Sequence, residues 1–584
     1  MRLSDYIINF IKEEYKVDTI FTVSGGGCIF LVDSLSKIEG IKYICNHHEQ
    51  ASAIAAEGYA RKTNNIGVCL VTSGPGGTNT LTGVLGAWLD SSPLLVISGQ
   101  VNRDMTTNYT KQPIRQLGDQ EFDIVKTVNK MTKYAVQVNE AEDIKYHLQK
   151  ALHLAKTGRP GPVWLDIPLD IQKTDIEPDS LKSFTPEVND ANIISKLKIN
   201  EVINKLKTAK KPLLLLGNGV RISDGIDELN SFIDKIKIPV ITSVNGNDIV
   251  NGDYEYYCGR FGTHAQIAAN ELLNECDFLL SIGSRLYVRQ VGYNFKSFAK
   301  NAFKVMVDID QNELNKPTMF NDLSINLDAK LFLKEMNNKV KYNYDLIHTN
   351  TDWSNYCKNK FNNTPRVLQR HRDLKNVVSH YRFIEKLNDY LPEDYDVVTS
   401  DGSAHVVTMQ VLDLKGKQRL ITNKGNAPMG HGLPCVVGAS SVKNTKWVCI
   451  EGDGSLHLNL HELQTLKHYN LPVKLILFNN NGYSSIKLSQ QAFFNGNKVA
   501  SDPESGVSFP NWKKIVDAYD LPYYNIKNNN EIDSVLSKIF NEEGPVVVEV
   551  ETDPDEMHEP KVMAQLDKND NFIPGELHNI QWLK

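Results

Sequence analysis

The chain has 584 residues, of which 41% are hydrophobic and 23% are charged, and this composition excludes a disordered or fibrous protein. Its 64 Lys and Arg residues and 70 Asp and Glu residues give a net charge of −6, so we expect neither nucleic acid nor a membrane as a partner. No stretch reaches the ~18 uninterrupted apolar residues that a membrane span requires. At about 150 residues per domain, the length predicts three or four domains.

The N-terminus and the cysteines indicate a cytoplasmic protein. Charges at Asp5, Lys12 and Glu13 interrupt the first residues, which is unlike a signal peptide. Apolar residues between Leu3 and Tyr15 recur at helical spacing and predict a surface helix. The eight cysteines are scattered without a CxxC pair, so we interpret them as buried, reduced thiols.

Three segments of the chain share one pattern, in which short apolar runs alternate with amphipathic stretches. This alternation predicts βα units, so we expect an α/β fold of three doubly wound parallel-sheet domains. The predicted divisions are an N-terminal domain at 1–172, a central domain at 195–340, a C-terminal domain at 375–555 and a tail or lid at 556–584. Polar stretches at 172–195 and 338–376 are the predicted linkers. Strands are predicted at 19–23, 43–45, 67–72, 94–98, 163–167, 212–216, 239–242, 278–282, 303–309, 396–399, 447–450, 473–478 and 546–550.

The strongest local signal lies in the third segment. One predicted strand runs into Gly452-Asp453-Gly454-Ser455, and the next ends at Asn480. Both strand ends are expected at the carboxyl edge of a parallel sheet, where ligands of open α/β sheets bind. The glycines let the backbone approach a phosphate, while Asp453 and Asn480 offer the hard oxygen ligands that Mg²⁺ uses. A Gly-Asp-Gly run alone is common in turns. Its combination with an asparagine after the next strand, Asn480, is a more specific sign of a diphosphate and metal site.

Two further motifs lie in the first segment. Glu49 follows a predicted strand and opens a helical stretch, where it is either a helix N-terminal charge or a functional carboxylate. The preceding His47 and His48 are functional or structural. The glycine loop at 73–79 follows another strand and opens a helix, so it either binds an anion or forms a tight turn against a neighbouring subunit.

Taken together, the runs HHEQASAIAAEGYAR, TSGPGGTNTLTGVLGAWLDSSPLLVISGQV, GRPGPVWLDIPLDIQ, GHGLP, GDGS and NNNGY resemble the acetolactate synthase branch of thiamine diphosphate enzymes. The resemblance covers nearly the whole chain in the same order. It implies a pyrimidine-binding, a central and a diphosphate-binding domain, and a homodimer or homotetramer. It also implies an active site between the first domain of one subunit and the third domain of another.

The resemblance assigns roles to individual residues. Glu49 matches the glutamate that hydrogen-bonds N1′ of the aminopyrimidine and activates the cofactor, and Gln120 matches a glutamine that faces the substrate. Asp453, Asn480 and the carbonyl of Gly482 match the Mg²⁺ ligands. Met429 matches an apolar wedge under the cofactor, with a core methionine as the alternative. The full set of implied contacts to thiamine diphosphate is Gly402, Ser403, His405, Ala427, Met429, Asp453, Gly454, Ser455, Asn480 and Gly482.

Departures from the family pattern concern the acceptor and the flavin. Asp119 and Ser489 replace a phenylalanine and a tryptophan of acetolactate synthases, so the wall around the acceptor is predicted to be roomier and more polar. In the central domain the usual Arg-Phe-Asp-Asp-Arg run is Arg285-Leu286-Tyr287-Val288-Arg289. The glycine pattern there is weak, so FAD is a candidate cofactor and its presence stays open.

The predicted reaction is thiamine diphosphate- and Mg²⁺-dependent decarboxylation of a 2-oxo acid, with pyruvate as the expected donor, followed by carboligation onto an acceptor carbonyl. One alternative is acetyl transfer to a nucleotide-activated keto-sugar. The other is simple decarboxylation. The expected partners are therefore a small 2-oxo acid and a carbonyl acceptor, and a regulatory subunit is not visible in this sequence.

Overall fold

The computed structural model describes residues 1–186, 196–341, 351–563, 565–566 and 572–583. Its main feature is three six-stranded, all-parallel sheets with interleaved helices, which confirms the predicted α/β fold of three parallel-sheet domains. Parts of the predicted linkers, 187–195 and 342–350, lie outside the described residues, as do residues 564, 567–571 and 584 of the predicted tail.

The first domain places its strands in the order β2-β1-β3-β4-β6-β5. Its strands are β1 (Thr19–Thr22), β2 (Lys42–Cys45), β3 (Gly67–Val71), β4 (Leu94–Gln100), β5 (Tyr134–Gln137) and β6 (Pro162–Pro168). Its helices are α1 (Leu3–Tyr15), α2 (Ile29–Lys37), α3 (Glu49–Thr63), α4 (Pro75–Asn79), α5 (Leu81–Asp90), α6 (Thr107–Thr110), α7 (Ile124–Val128), α8 (Ile144–Lys156) and α9 (Leu169–Gln172). Helix α1 confirms the predicted N-terminal helix.

The central domain has the strand order β12-β11-β10-β7-β8-β9, which is the order of a dinucleotide-binding Rossmann sheet. Its strands are β7 (Pro212–Leu216), β8 (Val240–Thr242), β9 (Tyr257–Arg260), β10 (Phe278–Ile282), β11 (Phe303–Asp308) and β12 (Leu323–Asn326). Its helices are α10 (Lys196–Thr208), α11 (Gly219–Ile222), α12 (Ile226–Ile236), α13 (Ile267–Glu275), α14 (Val288–Val291), α15 (Gln311–Asn315) and α16 (Ala329–Lys341). Two helices follow within the predicted second linker, α17 (Thr351–Asn363) and α18 (Gln369–Arg372).

The third domain repeats the strand order of the first, as β14-β13-β15-β16-β18-β17. Its strands are β13 (Tyr395–Thr399), β14 (Leu420–Ile421), β15 (Lys446–Gly452), β16 (Val473–Asn479), β17 (Tyr523–Ile526) and β18 (Val546–Glu551). Its helices are α19 (His380–Tyr390), α20 (Ser403–Val411), α21 (Gly432–Ser440), α22 (Asp453–His457), α23 (Leu463–His468), α24 (Ser484–Phe493), α25 (Trp512–Ala518) and α26 (Ile532–Ile539).

The C-terminal segment forms two short antiparallel pairs, β19 with β22 and β20 with β21. These strands are β19 (Lys561–Val562), β20 (Gln565–Leu566), β21 (Phe572–Ile573) and β22 (Ile580–Gln581). Residues 556–560 before them are buried or half-buried against the third domain. In the described part of the chain, no helix is long and apolar enough to cross a lipid bilayer.

Helix α3 of the first domain packs along α21 of the third domain. The contact is close enough that a Cβ on Gly58 would lie 2.2 Å from the carbonyl oxygen of Cys435, and one on Gly438 would lie 1.7 Å from that of Ala55. Gly58 lies against Cys435 and Ala55 lies against Gly438, so the two helices run antiparallel. Both helices follow the second strand of their own sheet, so this contact relates the first and third domains about an internal pseudo-twofold axis.

The interpretation of the cysteines is correct for most of them and wrong for one. All eight thiols are free, and seven are buried. Cys45 is exposed, because it ends the edge strand β2, which has a neighbouring strand on one side only.

Candidate active site

The predicted metal motif lies where two neighbouring strands of the third sheet end. Strands β15 and β16 pair in parallel, with Gly452 opposite Phe478, so Asp453 and Asn480 follow at the same carboxyl edge, as predicted. Asp453 is buried, and its carboxylate accepts hydrogen bonds from the backbone N–H of Gly454 at 2.7 Å and of Gly482 at 3.2 Å. Burial raises the pKa of Asp453 to about 6 in spite of these amide donors.

The donor set at this edge fits a hard divalent cation. Asn480 is buried, and its Oδ1 atom has no hydrogen-bond partner in the described residues. An unpartnered amide oxygen beside a carboxylate is a ligand pair that Mg²⁺ accepts together with phosphate oxygens and water. The described residues contain no cluster of three or more His, Cys, Asp or Glu side chains suited to a metal.

Glycine is required at position 454 for close packing. A Cβ on Gly454 would lie 2.4 Å from the ring of Tyr483, which follows the Asn480 loop. The next residue, Ser455, accepts a hydrogen bond at Oγ from the backbone N–H of Gly430, at 2.8 Å. This bond joins the diphosphate motif to the loop that carries Met429.

Three predicted cofactor contacts lie at the start of α20, beside the point where the strand order reverses between β13 and β15. Gly402 precedes the helix with φ of +70°, a conformation that glycine adopts readily. Ser403 begins the helix, and its Oγ lies 2.8 Å from Nε2 of His558 in the C-terminal segment. His405 is buried with Nδ1 3.1 Å from Oγ1 of Thr422, and burial keeps the pKa of His405 well below its usual range.

The loop before α21 presents Ala427 and Met429. Ala427 has φ of +52°, a left-handed conformation that is costly for a residue with a side chain. Met429 is 37% exposed, although all residues of α21 after it are buried. Its side chain therefore does not lie in a hydrophobic core.

Glu49 is the first residue of α3 and is half-buried. Its Oε2 accepts a hydrogen bond from Nδ2 of Asn79, at the end of the glycine-loop helix α4, at 2.9 Å. His48 caps α3 by accepting the N–H of Gln50 at its Nδ1, which is a structural role. The backbone N–H of His47 donates to the buried Glu462 at 2.8 Å, and so anchors this junction on the third domain.

Gln120 lies on an exposed loop with φ of +56°, and its carbonyl packs against Gly74 of the glycine loop. The adjacent Glu121 is buried and holds this loop, because its carboxylate accepts bonds from the N–H groups of Thr107 and Leu117. Asp119 is exposed, and so is Ser489 on α24.

A large cavity lies at the carboxyl edge of the central sheet, where the strand order reverses between β7 and β10. Its volume is about 1370 Å³, above the ~300–1,000 Å³ of ordinary small-ligand sites. It is lined by Gly219 after β7, by Arg285 after β10, by Asp308 at the end of β11 and by Arg159 of the first domain. Arg285 stacks on Tyr287 and lies 3.6 Å from Asp90. The size and position suit a dinucleotide.

Comparison with known protein families agrees with this architecture. Residues 1–125 match the N-terminal TPP binding domain of thiamine pyrophosphate enzymes, residues 199–336 match their central domain, and residues 401–550 match their C-terminal TPP binding domain. The chain therefore belongs to the thiamine pyrophosphate enzymes.

Within that class, the chain is similar to acetolactate synthase large subunits over almost its whole length. It is 32% identical over 553 residues to the large subunit of Lactococcus lactis, covering 94% of this chain and 92% of that one. It is 31% identical over 556 residues to the isozyme 2 large subunit of Escherichia coli, covering 95% and 96%. These relatives confirm the predicted resemblance and support decarboxylation with carboligation, and they do not favour a keto-sugar acceptor.

Sequence reasoning missed several residues that shape the site. Asn79 orients Glu49, Glu462 anchors the residues before it, and His558 contacts Ser403. Each acts across a sequence separation of 30 or more residues, and His558 lies in a stretch without a recognised motif. Of these three residues, only Asn79 could have been found from the sequence, because it is the last residue of the glycine loop at 73–79.

Proposed function

We propose that this chain is the catalytic subunit of an acetolactate synthase, which decarboxylates pyruvate and joins the remaining two-carbon unit to the carbonyl of a second 2-oxo acid. The observation that carries this proposal is the pair Asp453 and Asn480, a buried carboxylate and an amide oxygen without a partner among the described residues, at one carboxyl edge of the third sheet. It is the ligand pair that a Mg²⁺ ion bound to a diphosphate requires.

Thiamine diphosphate would lie between this edge and the loop of Met429. Asp453, Asn480 and the carbonyl of Gly482 would hold Mg²⁺, while Gly402, Ser403 and His405 would face the diphosphate. The thiazolium of the bound cofactor supplies the electron sink for decarboxylation. Met429, exposed beside the left-handed Ala427, would support the cofactor rings.

Glu49 would exchange a proton with N1′ of the aminopyrimidine. For this its carboxylate must be positioned and shielded from water. Asn79 positions it by the 2.9 Å bond to Oε2. Shielding is incomplete in one chain, since Glu49 is half-buried and Asn79 is exposed. We infer that a second chain covers this surface.

The antiparallel pairing of α3 and α21 supports the same inference. Met429 lies two residues before His431, whose ring is 3.5 Å from Glu57 of α3. Glu49 is eight residues away from Glu57, which is about 12 Å along a helix axis. Glu49 and Met429 of one chain therefore belong to different cofactors, and each complete site combines Glu49 of one chain with Met429 and Asp453 of another.

We further propose FAD in the central cavity. The Rossmann strand order, the glycines after β7 and β10 and the cavity volume of about 1370 Å³ support it. Purified protein should then be yellow, with flavin absorption in the visible region, and denaturation should release the flavin. A colourless protein that is fully active would contradict this part of the proposal.

The central experiment measures CO₂ release from pyruvate with thiamine diphosphate and Mg²⁺, with products identified by mass. We expect acetolactate. Glu49→Gln should lower the rate by about 10²–10⁴-fold, the range of a lost proton-transfer group. Glu39→Gln, on an exposed turn, is the matched control and should keep full activity. Acetaldehyde alone would indicate a simple decarboxylase, and no CO₂ from any 2-oxo acid would refute the proposal.

The shared site is tested by mixing two variants at a low Mg²⁺ concentration that leaves each of them inactive alone. In a dimer of one Glu49→Gln chain and one Asp453→Asn chain, one site carries both changes and the other carries neither. Random reassociation should therefore restore about a quarter of the wild-type sites. A mixture that stays inactive although the chains exchange would show that each site forms within one chain.

A further inference from the structure

The C-terminal segment contributes one buried side chain to the candidate cofactor site. His558 and Ser403 are both only 8% exposed, and Nε2 of His558 lies 2.8 Å from Oγ of Ser403. Ser403 begins α20, next to Gly402, where the diphosphate is proposed to bind. No other side-chain hydrogen bond of Ser403 is present among the described residues.

Two buried carboxylates fix the segment on either side of His558. Glu556 accepts hydrogen bonds from the backbone N–H of His380 at 2.7 Å and from Nδ1 of the same residue at 2.6 Å. Glu559 accepts two bonds of 2.6 Å from the Arg370 guanidinium and one of 2.7 Å from the N–H of Leu583. His558 is therefore held at a set position against α20, and is part of the third domain rather than of a mobile end.

The surroundings keep the imidazole of His558 uncharged. Burial above all, and then the neighbouring His264, His380 and Lys561, lower the pKa of His558 to about 3. A neutral imidazole has one N–H donor and one acceptor nitrogen. A diphosphate has only acceptor oxygens, so a serine that binds it must donate its hydroxyl proton to it. The serine oxygen is then free to accept, and the matching tautomer of His558 carries its proton on Nε2.

We propose that His558 is a positioning residue of the cofactor site, donating from Nε2–H to Oγ of Ser403 so that the Ser403 hydroxyl points its proton at the cofactor diphosphate. This inference rests on the proposed function. It makes the C-terminal segment a working part of the diphosphate site in the same chain, and it assigns the segment a role in retaining the cofactor rather than in covering the site.

The test is a double-mutant cycle on full-length protein, freed of cofactor and titrated with thiamine diphosphate and Mg²⁺ by calorimetry. Ser403→Ala and His558→Leu should each raise the Kd about tenfold, the effect of one hydrogen bond to a charged ligand. Because both changes remove the same donor chain, the double variant should also bind about tenfold more weakly, rather than a hundredfold. His558→Gln, whose amide places a donor near the position of Nε2, should recover most of the affinity.

His578→Leu is the matched control, since His578 lies in the same C-terminal segment and pairs with Glu576 away from Ser403. Its Kd should equal that of the wild type. If His558→Leu does not fold, His558→Asn takes its place in the cycle. An unchanged Kd in the His558 variants, or a hundredfold loss in the double variant, would overturn this inference. A wild-type protein that binds no thiamine diphosphate would instead refute the proposed function.

Discussion

Asn79 and Glu49 form a direct contact between two loops of the first domain, with Nδ2 of Asn79 2.9 Å from Oε2 of Glu49. The contact joins the glycine loop after β3 to the helix that follows β2, on either side of β1. One carboxylate oxygen of Glu49 is thereby held. If Glu49 has the proposed role, the other oxygen would face the aminopyrimidine, and the pair would set the direction from which that ring approaches.

Replacing Asn79 with alanine should release the Glu49 carboxylate without removing it. We expect the rate of CO₂ release from pyruvate to fall by about tenfold, in line with one hydrogen bond to a charged group. The affinity for thiamine diphosphate should change less than the rate. Asn301→Ala removes another exposed asparagine with a single side-chain bond, far from the site, and serves as control. Equal activity of the Asn79→Ala and Asn301→Ala variants would show that Asn79 does not contribute to the reaction.

Asp453→Asn should weaken the binding of Mg²⁺ at the proposed cofactor site. The variant keeps the size of the side chain but lacks the charge of the buried carboxylate, so we expect the Mg²⁺ concentration for half-maximal activity to rise by at least about 10–100-fold. The measurement is activity against Mg²⁺ at saturating thiamine diphosphate. Asp502→Asn provides a control on a neighbouring loop, where the carboxylate pairs with Lys498 at 2.9 Å. A Mg²⁺ requirement that does not move would exclude Asp453 as a ligand.

Gly438→Ala should separate α3 from α21. The added methyl group would lie 1.7 Å from the carbonyl oxygen of Ala55, and a backbone atom cannot move aside as a flexible side chain can. We expect a loss of about 1–3 kcal/mol in the free energy of unfolding, typical of overpacking. Gly26→Ala is the control, because its methyl group meets no atom within 4 Å. Chemical denaturation of both variants measures the difference, and equal midpoints would contradict the packing described.

Asp166 predicts a pH dependence of stability. It is buried, and burial raises its pKa to about 7 even though Ser98 and Gln100 donate to it. The folded chain holds this proton more tightly than the unfolded chain does. The contribution of Asp166 to the free energy of unfolding is therefore complete below about pH 4 and is lost as the pH rises to 7. The loss is at most about 4 kcal/mol, at 1.36 kcal/mol per pKa unit.

The measurement is the melting temperature of the wild type and of Asp166→Asn between pH 5 and pH 8. The variant has no carboxyl group to titrate at this position, so its melting temperature should fall less across this range than that of the wild type. Asp179→Asn, at an exposed position, should behave as the wild type does. Parallel curves for wild type and Asp166→Asn would show that this carboxyl group does not titrate in the range.

The sequence predicted all inner strands of the three large sheets and one edge strand, β2, and missed the other edge strands. All predicted strands are confirmed to within two residues at either end, and the inner ones could be predicted because an inner strand is largely apolar along its length. The missed strands of the large sheets, β5, β9, β12, β14 and β17, each lie at the edge of a sheet, and the short strands β19, β20, β21 and β22 were missed as well. Tyr134–Gln137 shows why, because each of its residues is half-buried and no apolar run marks it.

The same distinction holds for the site. Asp453 and Asn480 follow strands that are visible in the sequence, so their meeting at one edge could be predicted from the topology of a parallel sheet. The contacts of Glu462 and His558 join distant parts of the chain through single side chains. No periodicity or spacing encodes such a contact, and only the packing of the domains shows it.

The close contact of α3 and α21 has a consequence for how the chain folds during its synthesis. Apolar residues of the first domain and of part of the third domain share one continuous core, whereas one core of the central domain contains residues of that domain alone. During synthesis from the N-terminus, the first domain emerges more than 200 residues before α21 can cover Gly58 and Ala55. Until then the surface formed by Gly58 and Ala55 is open to water and to other nascent chains, while the central domain can complete the one core that contains only its own residues. The first and third domains thus depend on each other for a shared core, and the second core of the central domain awaits Leu577 of the C-terminal segment.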